Sequence, residues 1–461
     1  MDLEELKRIA NMAMELGQRQ EPDEIEVFLT SGKEISLPVQ NGQLAGTQQQ
    51  IDRGIGVRLA FGKKISMGFT TELSKEAIAK IILRTSDSAK KAQPNADWPG
   101  FPTKSEIPPN QQFYYKKLAE TGTEELAEIS SNLMSSCKVE GIHDPIVPVW
   151  GTTSLGVGSS VLLNSHGIEA VNQSSFFLAY LGVLALREGK PGPMALDFFL
   201  ARDKLLEDPS VFAGKLAKEA YDLSFAKKVE LPPKIPAILH PIALDSIAQN
   251  VFLPAVRADK KQQGDSFLAD RIGDKVVPEE FEIFDDGTLP QCTESDYFDA
   301  EGIAKRRTPI FQNGIFQNFL YDHSTAMKDG TSSTGNAQRN DDTGVNPGSY
   351  ANSPSVGKNN WVISPGSEDL DALMADIRLG VFILFIQGAH QGSPESGDYT
   401  GVVNPGYVIR NGERAEPLVG YGIAGNTLDL FSKFDGASSQ TLSVGDGLLP
   451  YVKFSEFRIV S

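Results

Sequence analysis

The stretch Ala237-Ile-Leu-His-Pro-Ile-Ala-Leu-Asp245, with the block Gly264–Tyr321 that follows it, decides how the second half of this chain reads. The block runs GDSFLADRIGDKVV from 264, FDDGTLP from 284 and FDAEGIAKRRTPIFQNGIFQNFLYD from 298. Apolar residues alternate on both sides of Asn313-Gly314, so Ile310–Leu320 is expected to be a hairpin. The same logic recurs in Tyr407-Val-Ile-Arg-Asn-Gly-Glu-Arg414, with Asn411-Gly412 at the turn. Longer helices are expected only near 241–260 and 367–378. The chain has 43 glycines, which favour turns and short strands over long helices. The second half therefore reads as antiparallel and β-rich.

The first half mixes both periods. Leu3, Leu6, Ile9, Ala10, Ala13 and Leu16 share one helical face. Ile25, Val27 and Leu29 alternate as a strand, and Asn41-Gly42 marks a turn. Ile55, Val57, Leu59 and Phe61 form another strand, which Gly62-Lys-Lys64 turns into Ile65, Met67 and Phe69. A helix carries Ile78, Ile81, Ile82 and Ala89, and five prolines make Pro94–Asn110 an extended connection. Leu126, Ile129, Leu133 and Cys137 mark the next helix. A β-rich stretch over 146–186 turns at Asn164-Ser-His-Gly167, and a further helix runs from about 209 to 226. Leu231-Pro-Pro-Lys-Ile-Pro236 stiffens the chain and marks the expected domain boundary. The expected fold is α+β with two domains. A mixed α/β domain spans 1–230, with sub-units of about 1–94 and 111–230, and a β-rich domain spans 231–461.

Composition excludes several classes. A net charge of −17 and a pI near 4.9 argue against nucleic-acid phosphate as a partner, which calls for clustered Lys and Arg. Two cysteines, Cys137 and Cys292, imply no disulfide framework and a reducing compartment. The opening Met-Asp-Leu-Glu-Glu-Leu has no signal-peptide pattern. The longest apolar run, Val381–Ile386, is six residues, against roughly 20 needed to span a bilayer. A cytoplasmic protein without membrane contact is expected.

The order and spacing of the 264–322 block closely resemble the TldD/PmbA family. The resemblance covers nearly the whole chain, is strongest from about 264 to 425 and is thinner before 150. Asn164-Ser-His-Gly167 resembles the family's Asn-Ser-x-Gly turn, and Ser396-Gly-Asp-Tyr399 its Thr-Gly-Asp-Phe element. The TldD branch carries a zinc-peptidase signature, His-Glu-x-x-x-His, whose corresponding positions here read His240, Pro241 and Asp245. A later Cys of that branch corresponds to Asp435, in Asp435-Gly-Ala-Ser-Ser-Gln-Thr-Leu-Ser-Val-Gly445.

A catalytic zinc needs three protein ligands and an open position for water, and hydrolysis needs a base for that water's proton. Pro241 has no titratable group, and Asp245 offers oxygen in place of imidazole. His240, Asp245 and Asp435 read either as a site of one imidazole and two carboxylates for a divalent ion, or as polar residues packed where a metal was lost. The pattern resembles the PmbA branch, also called TldE, which lacks the zinc motif. That resemblance implies a non-catalytic subunit of a cytoplasmic metallopeptidase complex that processes peptides. It implies no cofactor in this chain, with zinc and base supplied by a TldD-like partner. Two other readings are a stand-alone homodimeric metal-dependent hydrolase and a peptide-binding regulatory protein. The two hairpins read either as purely structural, the reading preferred, or as strand edges that could receive an extended peptide, with a groove near Asn313, Gly314, Asn318, Tyr321, Asp398 and Tyr399.

Other constellations read as structure. Thr331-Ser-Ser-Thr-Gly-Asn336 lacks the Lys of a phosphate cradle and is expected to be a flexible loop near the groove. Asp285-Asp286-Gly287 is expected to be a turn, because Asp296 stands where a calcium loop closes with glutamate. His323 beside Asp322 does not read as the base for a nucleophile such as Ser324, because adjacent residues point in different directions. His143, His166 and His390, without partners at metal-ligand spacing, are expected to be solvated.

Overall fold

A computed structural model of the chain describes residues 2–104, 113–339 and 349–460. The end of the Pro94–Asn110 connection lies outside the described residues. The first half is one antiparallel sheet in the order 64–70, 48–61, 24–40, 146–164, 169–187, 195–201. Its third strand, Glu24–Gln40, is far longer than Ile25–Leu29. Ser31-Gly32-Lys33-Glu34 interrupts the apolar pattern, but the backbone stays paired on both sides, Gly32 facing Asp52 and Gly158. The inward positions then resume at Ile35, Leu37 and Val39.

Two helix pairs cover this face. Leu3–Gln18 and Lys75–Lys91 pack on the Ile25–Leu29 end, and their first turns are capped by Asp2 and Ser74. Thr123–Ser135 and Pro209–Leu223 pack on the Ile35–Val39 end, the latter capped by Asp208 with Pro209 at its first position.

The second half is built on a sheet in the order 315–316, 307–312, 283–286, 361–363, 447–460, 234–239, 379–383, 406–410, 413–418. It is antiparallel except for two parallel pairs, Trp361–Ile363 on Gly447–Val460 and Lys234–Leu239 on Leu379–Ile383. Both Asn-Gly turns form hairpins with left-handed central residues, φ 53° and 76° at Asn313-Gly314 and φ 50° and 83° at Asn411-Gly412. The helix expected over 241–260 is interrupted. Pro241–Ile247 passes into a π turn at Ala248–Phe252 before Leu253–Ala255, because Pro254 has no N–H to donate to Asn250. The helix expected over 367–378 shrinks to Leu370–Met374. Among the described residues, no helix is long and apolar enough to cross a membrane.

The halves share one core. Ile238, Phe382, Tyr407, Ile409 and Tyr451 from the second sheet pack with Leu155, Phe177, Leu181 and Leu216 from the first half. The opposite face of the first sheet is held by an ionic knot. Glu26 accepts from Arg58 Nε at 2.8 Å and Nη2 at 2.6 Å, and its other partner is Arg339, contributed by the second half. All three are under 5% exposed. Burial opposes the Glu26 carboxylate, but Arg58 and Arg339 outweigh it and hold its pKa below the ordinary value.

Two loop expectations are corrected. Ser333, Thr334 and Asn336 are buried in a polar network in place of a flexible loop. Asp285 and Asp286 end the strand Ile283–Asp286, and Asp285 accepts from Asn336 Nδ2 at 2.7 Å and Asn359 N at 2.7 Å. His166 is exposed, with Glu24 3.0 Å from its Nε2.

Candidate functional site at the seam of the two halves

The strand Lys234–Leu239 delivers His240 to the seam. His240 N donates to Ile383 O at 2.9 Å, which anchors the residue to the neighbouring strand. Pro241 starts the helix Pro241–Ile247, and the His240 Nδ1 accepts from Ile242 N at 3.2 Å as its cap. The imidazole meets Tyr451 edge to face, with centroids 5.1 Å apart. It lines a cleft of about 530 Å³, together with Met194, Asp197, Lys215 and Glu219 from the first half and Leu384, Phe385, Asn404 and Arg414 from the second.

Charge in this cleft is dense. Burial, with Arg414 and Lys215 adding to it, pushes the His240 pKa down to about 3, so the ring is neutral at physiological pH. Burial raises Glu219, opposed by Arg414 and reinforced by Asp197. Asp197 is likewise raised by burial. No local motif reveals this group, since its members come from positions 197, 215, 219, 240 and 414. One signal was available: Asp197 interrupts the inward row Ala195, Phe199, Ala201 of an apolar strand.

Asp245 does not line the cleft. Its Oδ1 accepts from Trp361 Nε1 at 3.0 Å and from Gln249 Nε2 at 3.1 Å. Gln249 also donates to Asp446, which is ion-paired with Lys358. Asp435 lies elsewhere, half-exposed and 3.1 Å from Lys453 Nζ, which also holds Asp376. A zinc site needs three donors converging on one point. His240 has spent Nδ1 on Ile242, while Asp245 and Asp435 are bound to separate partners, so these residues do not make that set. Among the described residues, no group of three or more His, Cys, Asp or Glu is placed to hold a metal ion.

The expected peptide groove is likewise divided. Asp398 and Tyr399 border a hollow of about 930 Å³. Asn318 instead donates to Pro309 O at 3.0 Å, and the Tyr321 hydroxyl donates to Asp329 at 2.9 Å. The edge beyond Asn313-Gly314 is already covered: Val276 N donates to Gly314 O, and Phe316 N to Asp274 O. Strand addition at that edge is blocked by the chain itself.

Burial, with Asp446 adding to it, pushes the Asp245 pKa up to about 7. The folded chain therefore keeps a proton that the unfolded chain releases near pH 4. The contribution of this group is complete below that pH and lost as pH rises through about 7. Asp245→Asn keeps an acceptor for Trp361 and removes the titration. It is expected to raise stability by on the order of 2 kcal/mol at pH 8 and hardly at pH 4. Thermal melts at both pH values check this; an equal shift at the two, or a loss at pH 8, would contradict it.

A family model described as PmbA/TldA metallopeptidase C-terminal domain matches residues 232–461, and one described as PmbA/TldA metallopeptidase domain 1 matches 25–89. The chain belongs to the PmbA/TldD family. A Methanocaldococcus jannaschii protein described as uncharacterized is 26% identical over 433 residues, 94% of each chain. The Haemophilus influenzae protein named metalloprotease PmbA homolog is 24% identical over 466 residues, 98% of this chain and 96% of its own. The crystal structure of TldE from Thermococcus kodakarensis superposes with a TM-score of 0.87 at 22% identity, covering 97% of this chain and all of its own. That likeness establishes the shared PmbA/TldD-type fold, mixed α/β with a β-rich second half.

Proposed function

We propose that this chain is a non-catalytic, PmbA/TldE-like subunit of a cytoplasmic metallopeptidase complex that processes peptides, with zinc and base belonging to a TldD-like partner. Pro241 carries this reading. It stands where the family signature places the base, and as the first residue of a buried helix it offers neither a titratable group nor an N–H. The names of full-length PmbA relatives as metalloproteases support the peptidase class. A stand-alone hydrolase would need His240, Asp245 and Asp435 on one ion, and their separate partners disfavour it.

The purified chain is expected to hold well under one equivalent of zinc and to leave unstructured peptides uncut, as monomer or homodimer. Metal analysis and a peptide digest test this. Stoichiometric zinc with chelator-sensitive cleavage would overturn the reading.

A further inference from the structure

The cleft beside His240 gathers Asp197, Lys215, Glu219 and Arg414, and among the described residues none of the four is in an ion pair. Arg414 lies over Phe382 with Cζ 3.9 Å from the ring centroid, and among the described residues no carboxylate pairs with it. Its neighbour Arg410, by contrast, is paired with Glu416 at 3.0 Å. Glu219 and Asp197, which line the same cavity, also lack a cationic partner within ion-pair distance among the described residues, although Arg414 and Lys215 act on Glu219, and Lys215 on Asp197, from further off. His240 has given Nδ1 to the Ile242 amide, so its ring proton sits on Nε2, which has no hydrogen-bond partner among the described residues. Leu384 and Phe385 supply an apolar wall. Unpaired groups of both signs in a half-enclosed cavity bear a desolvation cost that a ligand of matching charges offsets. The volume of about 530 Å³ lies within the range of small-ligand sites.

We infer that this cleft binds an amino-acid-type zwitterion with an apolar side chain, carboxylate on Arg414 and the His240 Nε2–H, ammonium on Glu219 and Asp197. The free ends of a short peptide and a free amino acid share this chemistry. The inference concerns this chain alone and stands apart from the proposed complex.

Calorimetric titration of the full chain with L-leucyl-L-leucine, with L-leucine and with N-acetyl-L-leucyl-L-leucinamide tests it. Saturable binding of a zwitterionic probe is expected, weakened about tenfold or more in Glu219→Gln and in Arg414→Gln. Doubly blocked dipeptide should bind at least about tenfold more weakly than the better zwitterion. Tighter dipeptide binding assigns a peptide end, and tighter leucine binding a free amino acid. Equal binding of the blocked and free dipeptides, unchanged affinity in both folded variants, or no saturation by either zwitterion to about 10 mM would overturn the inference. The blocked-versus-free comparison uses the unaltered chain and decides even where a variant misfolds.

Discussion

Peptide cleavage by a complex reconstituted from this chain and a TldD-like chain is expected to survive His240→Asn and Asp245→Asn here within about threefold. It should fall by more than about 10²-fold when the motif glutamate of the TldD-like chain becomes glutamine. The asymmetry follows from where the groups lie. His240 caps a helix, and Asp245 serves Trp361 and Gln249, so neither is free to ligate a hydrolytic metal or take a proton from water. Each chain alone should be inactive. Cleavage assays on single chains, the mixture and the substituted mixtures decide the matter. Loss of activity on changing His240 or Asp245, with the complex still assembled by size-exclusion chromatography, would return the chemistry to this chain.

Glu26→Ala is expected to cost about 3–5 kcal/mol, because it strands two buried guanidinium groups. That is a large share of the roughly 5–15 kcal/mol that holds a domain folded. The pH dependence has a definite sign. The lowered pKa of Glu26 means its contribution is present above the ordinary carboxylate pKa and lost as pH falls through the folded value. The gap between parent and variant should therefore narrow in acid. Urea unfolding at neutral and acidic pH measures both quantities. A cost under about 1 kcal/mol at neutral pH would mean that the two arginines find other partners. Replacing Arg58 and Arg339 by methionine in the same variant should recover much of the loss, since no charge then stays unpaired.

The fold was legible wherever a periodic pattern drove burial. Leu6, Ile9 and Ala13 mark a helix face, Ile55, Val57 and Leu59 a strand face, and both Asn-Gly pairs a hairpin. The pattern failed where backbone pairing outweighed composition, as at Ser31–Glu34, and where a helix contained its own breaker, Pro254. Buried polar groups were the largest omission. Asp285, Asn336 and Asn359 look like loop residues because their type is usually solvated, yet each is buried with hydrogen-bond partners. The His240 position was legible through its motif. Its surroundings were not, because Asp197, Glu219 and Arg414 meet it only when the two sheets dock.

The strand Gly447–Val460 pairs along one edge with Phe434–Val444, the strand just before it, and along the other with Trp361–Ile363 and then Lys234–Leu239. It is synthesised after every other strand of that sheet. During translation Lys234–Leu239 and Trp361–Ile363 therefore each wait with a bare edge that invites wrong pairing. Completion docks a hairpin of local origin onto parts more than 80 residues back along the chain, a long-range closure of the slow kind.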